Sequence, residues 1–237
     1  MNNYKQYQTF KSWTPKSFGV NSLEETIYFD QEFQLIQASN LNNKVVVEMG
    51  FGNGSFSSWA LEQGCDYFGF ELIPELVSTA KDLGLNVFDA DLPFDEVLPA
   101  DSVDYVLAWD VFEHLNSEEI SSKLLECYKV LKSGGRVMAR VPSGDSPFSG
   151  PLQNGDITHK TSIGSSMVRQ YAMAAGFDVE SIRPPAFPIK GMGIKTFLRR
   201  ALVVAFQRIS YRFLANVFMG GENIVITQNM IFILKKP

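Results

Sequence analysis

Cysteine is scarce in this 237-residue chain, with Cys65 and Cys127 the only two. Two thiols make neither a disulfide framework nor a structural zinc site. Histidine is as rare: His114 and His159 are the whole supply. Long apolar runs are missing as well. Stretches such as Ala201–Phe206 fall far below the roughly 18 residues that a spanning helix needs. The opening Met-Asn-Asn-Tyr-Lys-Gln has no apolar stretch of a secretory signal. A reducing cytoplasm is therefore the expected location. With 45% apolar and 20% charged residues, the composition suits a cored globular protein and excludes disordered or collagen-like classes.

Charge of one sign is unevenly placed. Residues 184–237 hold eight Lys/Arg against one acid, Glu222, a net of +7; residues 1–183 hold thirteen against twenty-five, a net of −12. An acidic body with a basic tail argues against a general nucleic-acid binder and leaves open a local contact with an anionic surface.

Apolar strands alternate with amphipathic segments from Val45 onward. The pattern predicts strands at 45–49, 67–70, 87–90, 105–108, 136–141 and 178–182, and a last one at 224–234. Helices are expected at 22–38, 55–63, 74–83, 117–131, 165–175 and 193–218, with Lys132-Ser-Gly-Gly closing the fourth and a turn at 220–223. Strand–helix alternation implies a parallel sheet covered on both faces. We divide the chain into an N-terminal cover (1–43) and one domain (44–237), in which residues 186–220 are a helical insertion before the last strand.

Val45-Val-Val-Glu48-Met-Gly50-Phe-Gly52-Asn-Gly54 runs a strand into a glycine-rich turn and then a helix. Glycines let backbone approach a ligand closely, and the helix start offers amides. The Gly-x-Gly-x-Gly spacing differs from that of pyrophosphate binders. Glu48, two residues before the first glycine, suits an ammonium group. Glu71 ends the next strand, where a carboxylate can accept both hydroxyls of a ribose. Asp89-Ala-Asp91-Leu92 places an acid beside an apolar residue after the third strand, as an adenine ring requires.

These residues, with Leu131-Lys-Ser-Gly-Gly-Arg-Val, resemble class I S-adenosylmethionine-dependent methyltransferases. The resemblance implies a Rossmann-like, seven-stranded α/β sheet with its last strand antiparallel and helices on both faces. It implies Glu48, Gly50, Gly52 and Gly54 around the methionine part and Glu71 at the ribose. Asp91 is preferred to Asp89 for the adenine, with Leu92 alongside and Asp110 lining the cleft.

The fourth strand ends in Trp109-Asp110-Val-Phe-Glu113-His114. No Asp/Asn-Pro-Pro-aromatic run of the nucleobase-methylating enzymes follows it. Asp110, Glu113 and His114 share one face of a helical turn. They either hold a divalent metal, as in the quinone-type O-methyltransferases this run resembles, or line the methionine pocket without one. Gly155-Asp156-Ile-Thr158-His159 lies in the loop after strand five, which the family's topology puts over the reacting methyl. His159 is the candidate general base, oriented by Asp156 or Thr158; the alternative is a structural loop histidine. Thr158, His114 and Arg199 are assigned to the acceptor.

Ser17-Phe-Gly, Tyr28-Phe29, Gly50-Phe-Gly-Asn-Gly and Gly155-Asp-Ile-Thr-His are similar to methyltransferases of bacterial surface-polysaccharide assembly. That similarity implies methylation of a sugar hydroxyl or a terminal phosphate. A quinone or phenol acceptor, or a non-catalytic S-adenosylmethionine-binding scaffold, are the other readings. From Ile194 to Phe218 apolar residues recur at helical spacing, among five bases and no acid. This segment either caps the acceptor pocket or lies peripherally on the inner-membrane surface.

Overall fold

The structure, a computed structural model, describes residues 7–38, 40–189, 191, 193–218 and 224–237. Seven strands make one sheet: β1 (Val45–Met49), β2 (Asp66–Glu71), β3 (Val87–Asp89), β4 (Val103–Trp109), β5 (Leu131–Pro142), β6 (Asp178–Arg183) and β7 (Asn229–Lys235). Their spatial order is β3-β2-β1-β4-β5-β7-β6. β1 to β5 pair parallel, and β7 runs antiparallel between β5 and β6, as the resemblance implies.

The sheet has a core on each face. α2 (Leu23–Leu35), α3 (Ser55–Glu62) and α4 (Pro74–Asp82) bury Phe33, Trp59 and Leu76 against Val46, Leu107 and Ile233. α5 (Phe94–Val97), α6 (Ser117–Val130) and α8 (Ser165–Ala175) bury Phe94, Leu124 and Val168 against Val47, Val106 and Phe232. Odd and even strand positions thus serve opposite cores. α2 begins on a capping box: the Ser22 hydroxyl accepts from the Glu25 amide, and the Glu25 carboxylate accepts from the Ser22 amide at 2.8 Å.

Several predicted boundaries move. β5 starts at Leu131, not 136: Leu131 pairs with Val103 on β4, and Asp104 beside it binds Lys132 at 2.7 Å; the Gly-rich segment is strand, with a register shift opposite it between Val103 and Tyr105. β7 starts at Asn229, not 224. The carbonyls of Val225 and Ile226 are taken by the Ser143 and Ser146 hydroxyls, which removes them from the ladder. The turn expected at 220–223 lies outside the described residues.

Tyr7, Lys11 and Trp13 of the N-terminal segment meet the carboxyl end of the sheet around Met49, Gly50 and Glu71. The segment contains α1 (Tyr7–Phe10) and a short 3₁₀ turn at Pro15–Ser17, and a single turn, α7 (Gly150–Gln153), lies in the loop after β5. α2 is tied down by Glu32, fully buried, which accepts from Arg183 at the end of β6 (2.6 Å) and from the Ala186 amide. The insertion between β6 and β7 is one long helix, α9 (Ile194–Phe218), with no buried residue among those described.

Candidate active site

A cavity of about 480 Å³ opens at the carboxyl ends of β1, β2 and β4, where open α/β sheets place their ligands. Its floor is the glycine turn. Gly52 has φ +54°, and a Cβ there would stand 2.8 Å from the Trp13 ring. Only a residue without a side chain lets the cover close on this turn. Gly50 and Gly52 line the cavity. Gly54 does not; it starts α3 beneath Phe18.

Glu71 is built in from three directions. One carboxylate oxygen accepts from the Gly52 amide at 2.9 Å; the other accepts from the amides of Leu72 (2.7 Å) and Ile73 (3.0 Å). Burial raises its pKa and those three donors oppose the rise. Glu71→Gln would turn an amide NH₂ toward backbone N–H groups. We expect it to cost about 1–3 kcal/mol of stability, read as a lower unfolding midpoint, and to weaken cofactor binding in calorimetry.

Asp91 lines the cavity. Asp89 serves the turn instead, its carboxylate accepting the Asp91 amide at 2.9 Å. Leu92 is half-buried and not a lining residue; Ala90 and Phe94 provide the apolar walls there.

Glu48 requires correction. Met49 lines the cavity, so its neighbour on the strand faces the other way. Glu48 is buried on the opposite face, accepting from the Tyr67 hydroxyl at 2.6 Å. It is not among the residues lining the cavity. Burial lifts its pKa to about 8, against the Tyr67 hydrogen bond. An unfolded glutamate titrates near 4.3, so its contribution to stability is complete below that value and is lost as pH climbs toward 8. Glu48→Gln should flatten the stability curve over this window, removing a slope of up to about 1.4 kcal/mol per pH unit. Denaturant titrations at pH 5 and pH 8 read it.

The expected metal triad is also rearranged. Asp110 lines the cavity, but both its oxygens are held by Arg140, one of them at 2.9 Å. The two meet because Trp109 and Arg140 are register partners on β4 and β5. Burial disfavours the Arg140 charge, and Asp110 overrides that. Asp110 is thereby withdrawn from metal binding. Glu113 and His114 instead gather with His159: one ligand atom from each lies within 4.8 Å of the others.

The sequence reading puts His159 over the reacting methyl and His114 at the acceptor. His114 lines the cavity; His159 does not. His159 stands behind His114, ring centroids 4.6 Å apart. Its Nδ1–H donates to the Gln153 carbonyl at 3.0 Å, and its Nε2 is 4.0 Å from Glu113. Burial raises the Glu113 pKa well above the usual carboxylate range, and Asp110 adds to the rise. His159 is thus held by loop backbone and does not line the cavity.

A short relay fixes His114. The Thr158 hydroxyl donates to Asp156, and Thr158 Oγ1 lies 2.9 Å from His114 Nδ1. A hydroxyl that has given its proton to a carboxylate can only accept, so Nδ1 carries the hydrogen and Nε2 the lone pair. Burial, then the neighbouring His159, lowers the His114 pKa to about 4; the ring is neutral at pH 7. Asp156 stays ionised: burial works against it, and Thr158 and the histidines outweigh burial.

Sequence reasoning missed three lining residues of the cover: Tyr7, Lys11 and Trp13. The Tyr7 ring stands edge-on to His114 at 6.1 Å. Nothing in their local pattern announces contact with residues a hundred positions away. Lys160, beside the predicted loop, also lines the cavity. Arg199 does not: it is exposed on α9, and no described α9 residue lines the cavity.

Comparison with known proteins agrees with this fold. Residues 47–139 match a family described as a methyltransferase domain. The chain is 27% identical over 122 residues to an uncharacterised methyltransferase of Geobacillus sp. (strain WCH70), covering 51% of this chain and 57% of that one. The chain thus matches little more than half the length of that curated relative. A methyltransferase from Archaeoglobus fulgidus, S-adenosylmethionine-dependent by its description, superposes with a TM-score of 0.64 at 17% identity, over 98% of this chain and 99% of the other. One from Mesorhizobium loti gives 0.58 at 14% identity, over 87% and 97%.

Proposed function

We propose that the chain, which carries a methyltransferase domain on a class I methyltransferase fold, transfers a methyl group from S-adenosylmethionine, the cofactor of that family and fold, to a sugar or glycan oxygen. The fit to the cofactor rests on the cavity itself. Gly50 and Gly52 present bare backbone to it, Glu71 lines it with an anchored carboxylate, and Asp91 lines it as well. These residues would hold the methionine part, the ribose and the adenine in turn. Bound there, S-adenosylmethionine supplies an electrophilic methyl on a sulfonium.

One observation carries the hydroxyl reading: the Asp156–Thr158–His114 relay ends at the cavity in a neutral imidazole. Methyl transfer to oxygen needs the acceptor aligned and its proton removed. The neutral imidazole of His114 is the lining group suited to take that proton. Lys11 and Lys160 in the wall suit a polyhydroxyl or phosphorylated acceptor. The placement in surface-polysaccharide assembly draws support from the motifs around Gly50 and Gly155. A screen of nucleotide sugars, glycan fragments, sugar phosphates and phenols with methyl-labelled cofactor tests this. Transfer to sugar oxygens is the expected result; transfer to phenols alone would overturn it, and cofactor binding without turnover on any class would favour a scaffold.

The Glu113/His114/His159 group favours one second reading, a phenol-type enzyme using a divalent cation. Those three side chains would hold the cation, which would polarise the acceptor oxygen. Loss of turnover in EDTA, restored by a divalent cation, separates it from the first.

A further inference from the structure

The outer face of α9 is apolar along its length. Leu198, Leu202, Phe206, Ile209, Phe213 and Val217 follow spacings of 4, 4, 3, 4 and 4 and so share one face of the helix. They are 54–74% exposed. A row of large exposed side chains like this marks an interaction surface. The inner face is seated on the protein. Arg200 pairs with Glu24 of α2 at 2.8 Å and donates to the Pro188 carbonyl. Tyr211 lies against Phe148, ring centroids 6.1 Å apart, on the loop that follows β5.

Charge decides what covers the outer face. Arg199 flanks the stripe on one edge and Arg208 and Arg212 on the other, while Lys195 continues it at its N-terminal end; all four are exposed, and no acid occurs from residue 194 to 218. A second copy docked stripe on stripe would bring the same bases together without a carboxylate of either helix to meet them. No helix among the described residues, α9 included, is long and apolar enough to cross a bilayer. Apolar side chains bordered by cations are what a helix lying in the plane of an anionic membrane requires. The stripe enters the acyl boundary, and the long basic side chains reach back to the headgroups.

We propose that α9 seats the protein on the surface of a membrane containing anionic lipids, helix axis parallel to the bilayer. The seat is separate from the catalytic cavity, which α9 does not line. It does share the strand-five loop, since Phe148 and Thr158 belong to the same connection between β5 and α8.

Flotation of the full chain with vesicles tests it. Wild type should bind phosphatidylcholine vesicles containing about 30% phosphatidylglycerol and leave pure phosphatidylcholine vesicles unbound, with binding weakened by salt. Leu202→Glu/Phe206→Glu should abolish flotation. Arg208→Glu/Arg212→Glu should reduce it at least tenfold. Both variants should keep wild-type cofactor affinity and unfolding midpoint, because the changed residues are exposed and distant from the cavity. Absence of flotation on anionic vesicles overturns the proposal, as does equal flotation on neutral ones. A solution dimer broken by Leu202→Glu/Phe206→Glu, with no vesicle binding, overturns it in favour of self-association.

Discussion

Gly52→Arg should abolish S-adenosylmethionine binding in calorimetry, a loss of 100-fold or more, while the chain still folds. Two costs combine at this position. A side chain at φ +54° is held in left-handed backbone, about 1–2 kcal/mol for a residue with a Cβ. The Cβ alone comes within 2.8 Å of the Trp13 ring, so an arginine must displace the cover or fill the cavity. Either outcome removes the surface against which the cofactor rests, and the Gly52 amide loses its alignment on Glu71. Gly84→Ala provides the control. Gly84 is also left-handed, at φ +82°, with no atom within 4 Å of the added Cβ; it should cost stability alone and leave binding intact. Unchanged binding in Gly52→Arg would place the cofactor elsewhere.

His114→Ala should reduce methyl transfer by about 100-fold or more, the usual size of a general-base contribution, with cofactor affinity within a few-fold of wild type. His159→Ala should lose far less, since that ring meets the Gln153 carbonyl and Glu113 instead of the cavity. Thr158→Val is the positioning test. It removes the acceptor of the Nδ1–H and should lower kcat with KM nearly unchanged. The pH profile separates a base from a packing residue. With His114 held at about pKa 4, wild-type activity should be flat from neutrality down to about pH 5 on its account. In Thr158→Val, where Asp156 no longer acts through the hydroxyl, the acid limb should move. A His159→Ala variant with the larger defect would return the catalytic role to that loop.

These two experiments mark where local pattern ends. The glycine turn, Glu71 at the end of β2 and Asp91 after β3 are legible because each is fixed by its position on one strand and the turn beyond it. The orientation of Glu48 was also legible: strand alternation puts it and Met49 on opposite faces, and spacing from the glycines was the weaker guide. The Asp110–Arg140 pair was not. Those residues are 30 positions apart and meet only through the register of β4 on β5, which no local periodicity encodes.

The sequence by itself determined the alternation of strands and helices, the α/β class, the glycine turn with its ordered acids, and a basic segment free of carboxylates. Each follows from short-range rules: side-chain period, backbone freedom at glycine, and charge counted along the chain. Tertiary structure alone decided which histidine meets the cavity, which carboxylate arginine removes from metal binding, and which face of α9 remains uncovered. Those outcomes depend on contacts between distant segments. Burial and a partner's charge then set the state of each group: His114 neutral, Asp156 ionised, Glu48 and Glu113 raised.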